Sequence, residues 1–350
     1  MPPGTLALNT NTQPGVRGRS RIPLIVGYGL ALVCLVWVLR DFHLVKALQQ
    51  LANLDWHWVV LGMAFDALSY AIQALRWKLL LTPFGKVRLT RSIRAVFAGL
   101  FANLIFPLRP GELLRSYLLA DSEDIKLGRV LGSVAVERFM DLVIATASLA
   151  TVSLLVDKSR RFQRVADSLG IVTLVLLSIV VLLVLYLEIK LGSTPGPEVA
   201  RRRLPGKAMA VLTDLHAMGT APSFYPAVLF SVMIPFCQVL GLWAIARADG
   251  LPLSFLAVVL VLLIINLGVS LPNAPANVGS YQFFCVLGLS VFQIEKSTAT
   301  GFSFFAFLAL TFPMVFLGFA ALLRSGMSLK SMREKVSGMS GQSLKSEQQS

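Results

Sequence analysis

The chain has 350 residues, 55% of them hydrophobic and 14% charged, whereas an ordinary soluble domain carries roughly 25% charged residues. That composition excludes a water-soluble globule. The segments left over for water are two tails and loops of at most about 35 residues, too short for a soluble catalytic domain of roughly 100. The net charge of +14 does not point to nucleic acid, because Lys and Arg lie between and beside apolar runs. There they act as topology signals and anionic-lipid contacts.

In chain order, residues 1–21 read as a cytoplasmic tail whose Arg17, Arg19 and Arg21 precede an apolar run from Ile22 to Leu39. Val38-Leu39-Arg40-Asp41 offers no small-residue cleavage site, so the run is an uncleaved span rather than a signal peptide. Leu44, Val45, Leu48, Leu51 and Ala52 then share one helical face, as in a helix lying in the interface. The next span, 58–75, carries Asp66 and ends at Arg76-Trp77-Lys78, which reads as an interfacial anchor. His43, Asp55 and His57, beside Trp56 and Trp58, read as part of an interfacial belt rather than metal ligands.

Residues 95–120 are apolar but interrupted by Pro107-Leu108-Arg109-Pro110-Gly111-Glu112, so neither piece is a full span and the segment is expected to be a re-entrant hairpin. Spans follow at 130–156 and 170–187. A weaker amphipathic stretch includes Val211, Leu212, Leu215 and Met218, and another span occupies 224–246. A second broken hairpin, 254–292, is interrupted by Pro272-Asn273-Ala274-Pro275, and the last span is 300–323. Residues 324–350, rich in Ser, Gln and Lys, are expected to be a disordered cytoplasmic tail.

The expected fold is therefore an all-α polytopic membrane protein with six spanning helices and two re-entrant broken hairpins. Residues 22–155 and 156–323 form two membrane repeats with the same order of parts. Each half crosses an odd number of times, which makes the second inverted relative to the first, a recurrent transporter architecture. With both termini in the cytoplasm, most of the 32 Lys and Arg fall on the inner side. The loop 156–169, with Lys158, Arg160, Arg161 and Arg164 on the outer side, runs against that bias.

Three groups of residues could carry function. Around the first break, Pro107, Pro110 and Gly111 shape the hairpin, while Asn103, Arg109, Glu112 and Arg115 are candidate substrate-binding groups. Prolines free backbone groups, and three charges within seven residues are incompatible with lipid exposure, so the motif should line a cavity. A guanidinium's planar fork suits a phosphate. The alternative is that Glu112 pairs with Arg109 or Arg115 only to close the hairpin. Glu137, Arg138 and Asp141 form the second group and, with Asp66, are candidates for charge balance or coupling. Glu137 and Asp141 share a helix face, and a purely structural ion-pair cluster is the competing reading. At the second break, Pro272, Pro275 and Gly279 are structural, and Asn273, Asn277 and Gln282 offer uncharged polar contacts. Cys34, Cys237 and Cys285 lie in apolar segments without CxxC spacing, so neither a disulfide, a metal site nor a cofactor is expected.

Arg76-Trp77, Asn103 with Pro107 through Glu112 and Arg115, Glu137-Arg138-Phe139-Met140-Asp141, and Pro272-Asn273-Ala274-Pro275 with Gly279 together resemble the lysylphosphatidylglycerol synthase transmembrane region, or flippase-like, family. The resemblance covers about residues 22–323. It implies a lipid-translocating membrane domain whose two hairpins meet at a lipid-accessible cavity. Fused members add a cytoplasmic aminoacyl-transferase domain, which is not read in this chain, so synthase activity is not carried over. The family's second break usually continues Pro-Gly-Gly-x-Gly to a Glu. Here it reads Pro275-Ala276-Asn277-Val278-Gly279, with Gln282 at the acidic position.

The function expected is flippase- or scramblase-like movement of an anionic or lipid-linked polar head group across the cytoplasmic membrane. Its partners would be a phospholipid or polyprenyl-linked lipid and a separate lipid-modifying enzyme, with no nucleic acid. The alternatives are a membrane-embedded lipid transferase, with Glu137 or Asp141 as base, and a non-catalytic partner in cell-envelope glycolipid synthesis.

Overall fold

The computed structural model describes residues 22–40, 52–106, 109–155, 206–270 and 274–324, with a few isolated positions between 49 and 182. Among the described residues there is no strand. The helices are α1 (Ile22–Leu39), α2 (Trp56–Leu81), α3 (Leu89–Ile105), α4 (Gly111–Glu123), α5 (Leu127–Leu155), α6 (Gly206–Thr220), α7 (Phe224–Ala248), α8 (Phe255–Val269), α9 (Ser280–Val291) and α10 (Lys296–Arg324). Short 3-10 turns occupy Thr82–Phe84 and Pro275–Asn277.

Among the described residues, four helices are long and apolar enough to cross a bilayer: α2 with its following turn, α5, α7 and α10. They realise the expected spans at 58–75, 130–156, 224–246 and 300–323. The run 22–39 is helical as α1. The span at 170–187, the first amphipathic segment, the basic loop 156–169 and both tails lie wholly or mostly outside the described residues. Both broken segments resolve into two short helices. At 1.5 Å per residue, α4 and α9 reach only about 20 Å, short of a hydrocarbon core about 30 Å thick. The first limb begins at Leu89 rather than Ala95, because the Ser92 hydroxyl donates to the Ala74 carbonyl at 2.7 Å and docks this extra turn on α2.

The core is built on α2 and α7, which run antiparallel. The Asp55 N–H donates to the Ala248 carbonyl at 3.1 Å at one end of the pair, and Arg76 reaches Ser231 at the other. Between them Gly62 faces Gly241, and a Cβ on Gly62 would lie 2.8 Å from the Gly241 carbonyl. Small residues at this crossing let the two backbones touch, the usual device where lipid provides no hydrophobic drive. Asp55 caps α2 by accepting from the His57 N–H, and Trp58 packs edge-to-face on Trp243 with centroids 5.7 Å apart.

Around this pair the helix contacts match half for half. α2 packs on α3 as α7 packs on α8, and α3 on α4 as α8 on α9. Likewise α4 meets α5 as α9 meets α10, while α3 rests on α10 as α8 rests on α5. Large apolar side chains such as Leu154 on α5, Tyr225 and Leu229 on α7, and Leu308, Phe312 and Phe316 on α10 face outward. In water such a surface would aggregate, whereas in a bilayer it is solvated.

Candidate functional site

Each break ends one helix and starts another, leaving unpaired N–H and C=O groups that must be satisfied inside protein. At the first, the Asn103 side-chain oxygen accepts from the Gly111 N–H at 2.7 Å, capping α4. At the second, the Gln282 side-chain oxygen accepts from the Gly279 N–H at 2.8 Å, capping α9. The sequence pointed to both residues as substrate contacts, and the structure gives each a capping bond. Gly111 is required where it stands, because a Cβ there would collide with the Gly99 carbonyl and the Asn103 amide. Gly279 adopts φ +86°, and its Cβ would strike the Ala31 carbonyl of α1. Asn277 also lies in the left-handed region, at φ +58°. Pro107, Pro272 and Asn273 are outside the described residues.

The two breaks meet. The turn Pro275–Asn277 packs on α3, and Arg109, at the tip of the first break, donates from Nη1 to the Val269 carbonyl at 3.1 Å. Val269 is the last residue of α8, so this is one of the carbonyls the second break frees. Arg109 is held in a left-handed conformation, φ +53°, uncommon for a residue with a Cβ.

Behind this tip lies a charge cluster drawn from α2, α4 and α5. Glu137 is 1% exposed and accepts from two guanidiniums, Arg115 Nη2 at 2.6 Å and Arg76 Nη2 at 3.4 Å. Arg76 continues from Nη1 to Asp141 at 2.6 Å and to the Ser231 hydroxyl of α7 at 3.2 Å. Arg138 joins Asp141 at 3.4 Å and Glu112 by a short ion pair. Arg115 also lies over the Trp77 ring, 4.6 Å from its centroid, and the Trp77 indole N–H donates to Ser133 at 2.8 Å.

Two expectations change here. Arg76 and Trp77 are not an interfacial anchor: both are almost fully buried and join α2 to α5. Because the guanidinium finds two carboxylates, burial becomes tolerable. Glu112 pairs with Arg138 rather than with Arg109 or Arg115. Arg115 uses one nitrogen on Glu137, while its Nε and Nη1 carry no hydrogen bond.

Three of the cluster's guanidiniums, on Arg76, Arg115 and Arg138, match three carboxylates, on Glu112, Glu137 and Asp141. Arg109 is the surplus. Among the described residues no carboxylate lies within ion-pair distance of it, and its Nε has no partner. The site therefore presents, at the junction of the two breaks, a guanidinium with no ion-pair partner among the described residues. Sequence reasoning missed Arg76 as a member of this cluster, although its place at the end of α2, 65 positions before Asp141, carried no local signal of their contact.

Among the described residues, no group of three or more His, Cys, Asp or Glu could hold a metal ion.

The family model for the lysylphosphatidylglycerol synthase transmembrane region matches residues 24–318. The chain is 23% identical over 325 residues to a UPF0104 membrane protein of Methanocaldococcus jannaschii, covering 87% of this chain and 94% of that one. A second UPF0104 membrane protein, from Methanothermobacter thermautotrophicus, is 23% identical over 259 residues, 68% of this chain and 76% of that one. The glycosyltransferase AglD of Haloferax volcanii is 27% identical over 154 residues, 43% of this chain but only 24% of AglD. The match over nearly the whole length shows that this multi-pass membrane protein belongs to the lysylphosphatidylglycerol synthase transmembrane-region family.

Proposed function

We propose that the protein moves an anionic or lipid-linked polar head group across the cytoplasmic membrane, as a flippase or scramblase. In this reading six spans and two re-entrant hairpins form an inverted repeat with both termini inside, and the half-for-half helix contacts support it. The observation that carries the function is Arg109, a guanidinium without a carboxylate partner placed where the two breaks meet. A phosphate supplies the missing negative charge and accepts from the guanidinium fork. Arg115, with two unbonded donors, is the second ligand once the cluster opens, while Glu112 and Asp141 keep the Arg138 they already share. Asn277 and Asn273 add uncharged contacts from the second break. The acyl chains remain in lipid while only the head group enters the protein, which removes the cost of taking a charge through hydrocarbon.

A transferase built on Glu137 or Asp141 is less well supported, because each carboxylate is engaged by two arginines in the resting cluster. The AglD match favours a second reading, in which the protein serves a separate enzyme of a lipid-linked glycan pathway. The deciding experiment is reconstitution into liposomes containing phosphatidylglycerol with a fluorescent head-group or acyl label. Transport predicts unchanged lipid in the opposite leaflet, lost in Arg109→Gln. New lipid would mean an enzyme, and a rate equal to that of protein-free liposomes would overturn transport by the purified chain.

A further inference from the structure

The charge cluster accounts for the ionisable groups near the breaks, but not for Asp66. This carboxylate sits in the middle of α2, 6% exposed, and its Oδ2 has no hydrogen-bond partner. It lines a cavity of about 120 Å³ between α2, α7, α8, α9 and α10. The other polar groups around that cavity are all neutral oxygen donors: Tyr70 of α2, Gln238 of α7, Asn266 of α8, Tyr281 of α9 and Thr311 of α10. The Tyr281 hydroxyl, like Asp66 Oδ2, is buried and unpartnered. No Lys or Arg lines the space. Tyr70 lies one helical turn along α2 from Asp66 and lines the same space.

A single ionised carboxylate enclosed by apolar helices is too costly to stand alone, and a protein meets that cost either with a bound cation or with a proton. One negative charge calls for one positive charge. The five neutral polar side chains offer oxygens of the kind a hard ion takes, and the volume admits such an ion with a few waters at roughly 30 Å³ each. Asp66 and Tyr281, on different helices that line the same space, each keep one orphaned polar atom, and an occupant of this kind would satisfy such atoms.

We propose that the Asp66 cavity binds one small monovalent cation, a proton or a sodium ion. The site rests on the transport reading for its purpose, because it would supply the ion that drives or gates head-group movement. It is a feature of the folded protein in its own right, however, and is tested without transport.

The full-length protein is purified in detergent in N-methylglucamine buffer free of alkali ions, and its melting temperature is followed in two titrations. One raises sodium at pH 8 and constant ionic strength, with potassium as control; the other lowers pH from 8 to 5 without sodium. Wild type is expected to gain roughly 2 °C or more per tenfold increase in the bound ion in at least one arm. Response to pH alone identifies the proton, and response to sodium identifies the metal ion. Asp66→Asn is expected to be more stable than wild type in the unliganded condition and flat in the arm to which wild type responds. A wild type flat in both arms, or an Asp66→Asn protein that responds as wild type does, overturns the site. Should Asp66→Asn not fold, Tyr281→Phe decides. A midpoint displaced about threefold or more, the scale of one hydrogen bond, supports the site, and an unmoved midpoint overturns it. A flat response with intact lipid transport sinks only the cation site, whereas a clear response without transport sinks only the flippase reading.

Discussion

Arg76 and Glu137 are 61 positions apart in the sequence and meet inside the helix bundle at 3.4 Å, each 1% exposed. Glu137 is thereby shared between α2, through Arg76, and α4, through Arg115. Removing one member strands the others. Glu137→Gln is expected to lower stability by about 3–5 kcal/mol, the cost of leaving buried charges uncompensated. Thermal unfolding of the purified variant measures this. A loss below about 1 kcal/mol would show that water reaches the cluster.

The arginines at the first break should separate by phenotype. Arg109 holds one carbonyl and no carboxylate, so Arg109→Lys keeps the fold and loses the planar fork, and is expected to slow head-group transport at least tenfold with a melting temperature within about 2 °C of wild type. Arg115→Lys gives up the Glu137 bond geometry and the stack on Trp77, and should lower both transport and stability. Parallel transport and thermal assays read the difference. Equal loss of stability in the two variants would place Arg109 in the structural set.

Gly99 tests how tightly the limbs of the first hairpin are joined. A Cβ there would lie 2.6 Å from the Gly111 carbonyl and 2.9 Å from the Arg115 Cβ, so backbone must shift to admit it. Gly99→Ala is expected to cost about 1–3 kcal/mol by overpacking, more than the small helix-propensity gain returns. Gly128→Ala, where nothing lies within 4 Å, is the control and should be neutral or slightly stabilising.

The proposed orientation can be read by thiol labelling in intact cells. Cys34, Cys237 and Cys285 are all buried, which keeps the background low. Ser122→Cys, in the last turn of α4, should be shielded from impermeant reagents, and Pro252→Cys, between α7 and α8, should be labelled, since both positions are exposed at helix ends. The reverse pattern would turn the protein over, and the same result at both positions would remove the inverted repeat.

Much of the fold was legible because apolar length and proline interruption are local signals. The runs at 58–75, 130–156, 224–246 and 300–323 became long helices, and each Pro-x-x-Pro segment divided two short ones. The pairing of charges was not legible, since it depends on which helix faces which. Arg76 looked like an anchor because a basic residue after an apolar run usually marks the membrane surface. Only the approach of α5 shows that it is answered by Glu137 and Asp141. For the same reason Asn103 and Gln282 read as ligands. An amide beside a broken helix is as well suited to capping as to binding, and sequence does not separate the two.

The contact between Gly99 and Gly111 also bears on how the protein can move. With backbone against backbone and the Asn103 amide fastened across the break, α3 and α4 cannot part from each other without losing both. This piece meets the opposite half along α10, at the Pro275–Asn277 turn and through the bond from Arg109 to Val269. The first hairpin is therefore one rigid piece, and Arg109 ties its tip to the second break.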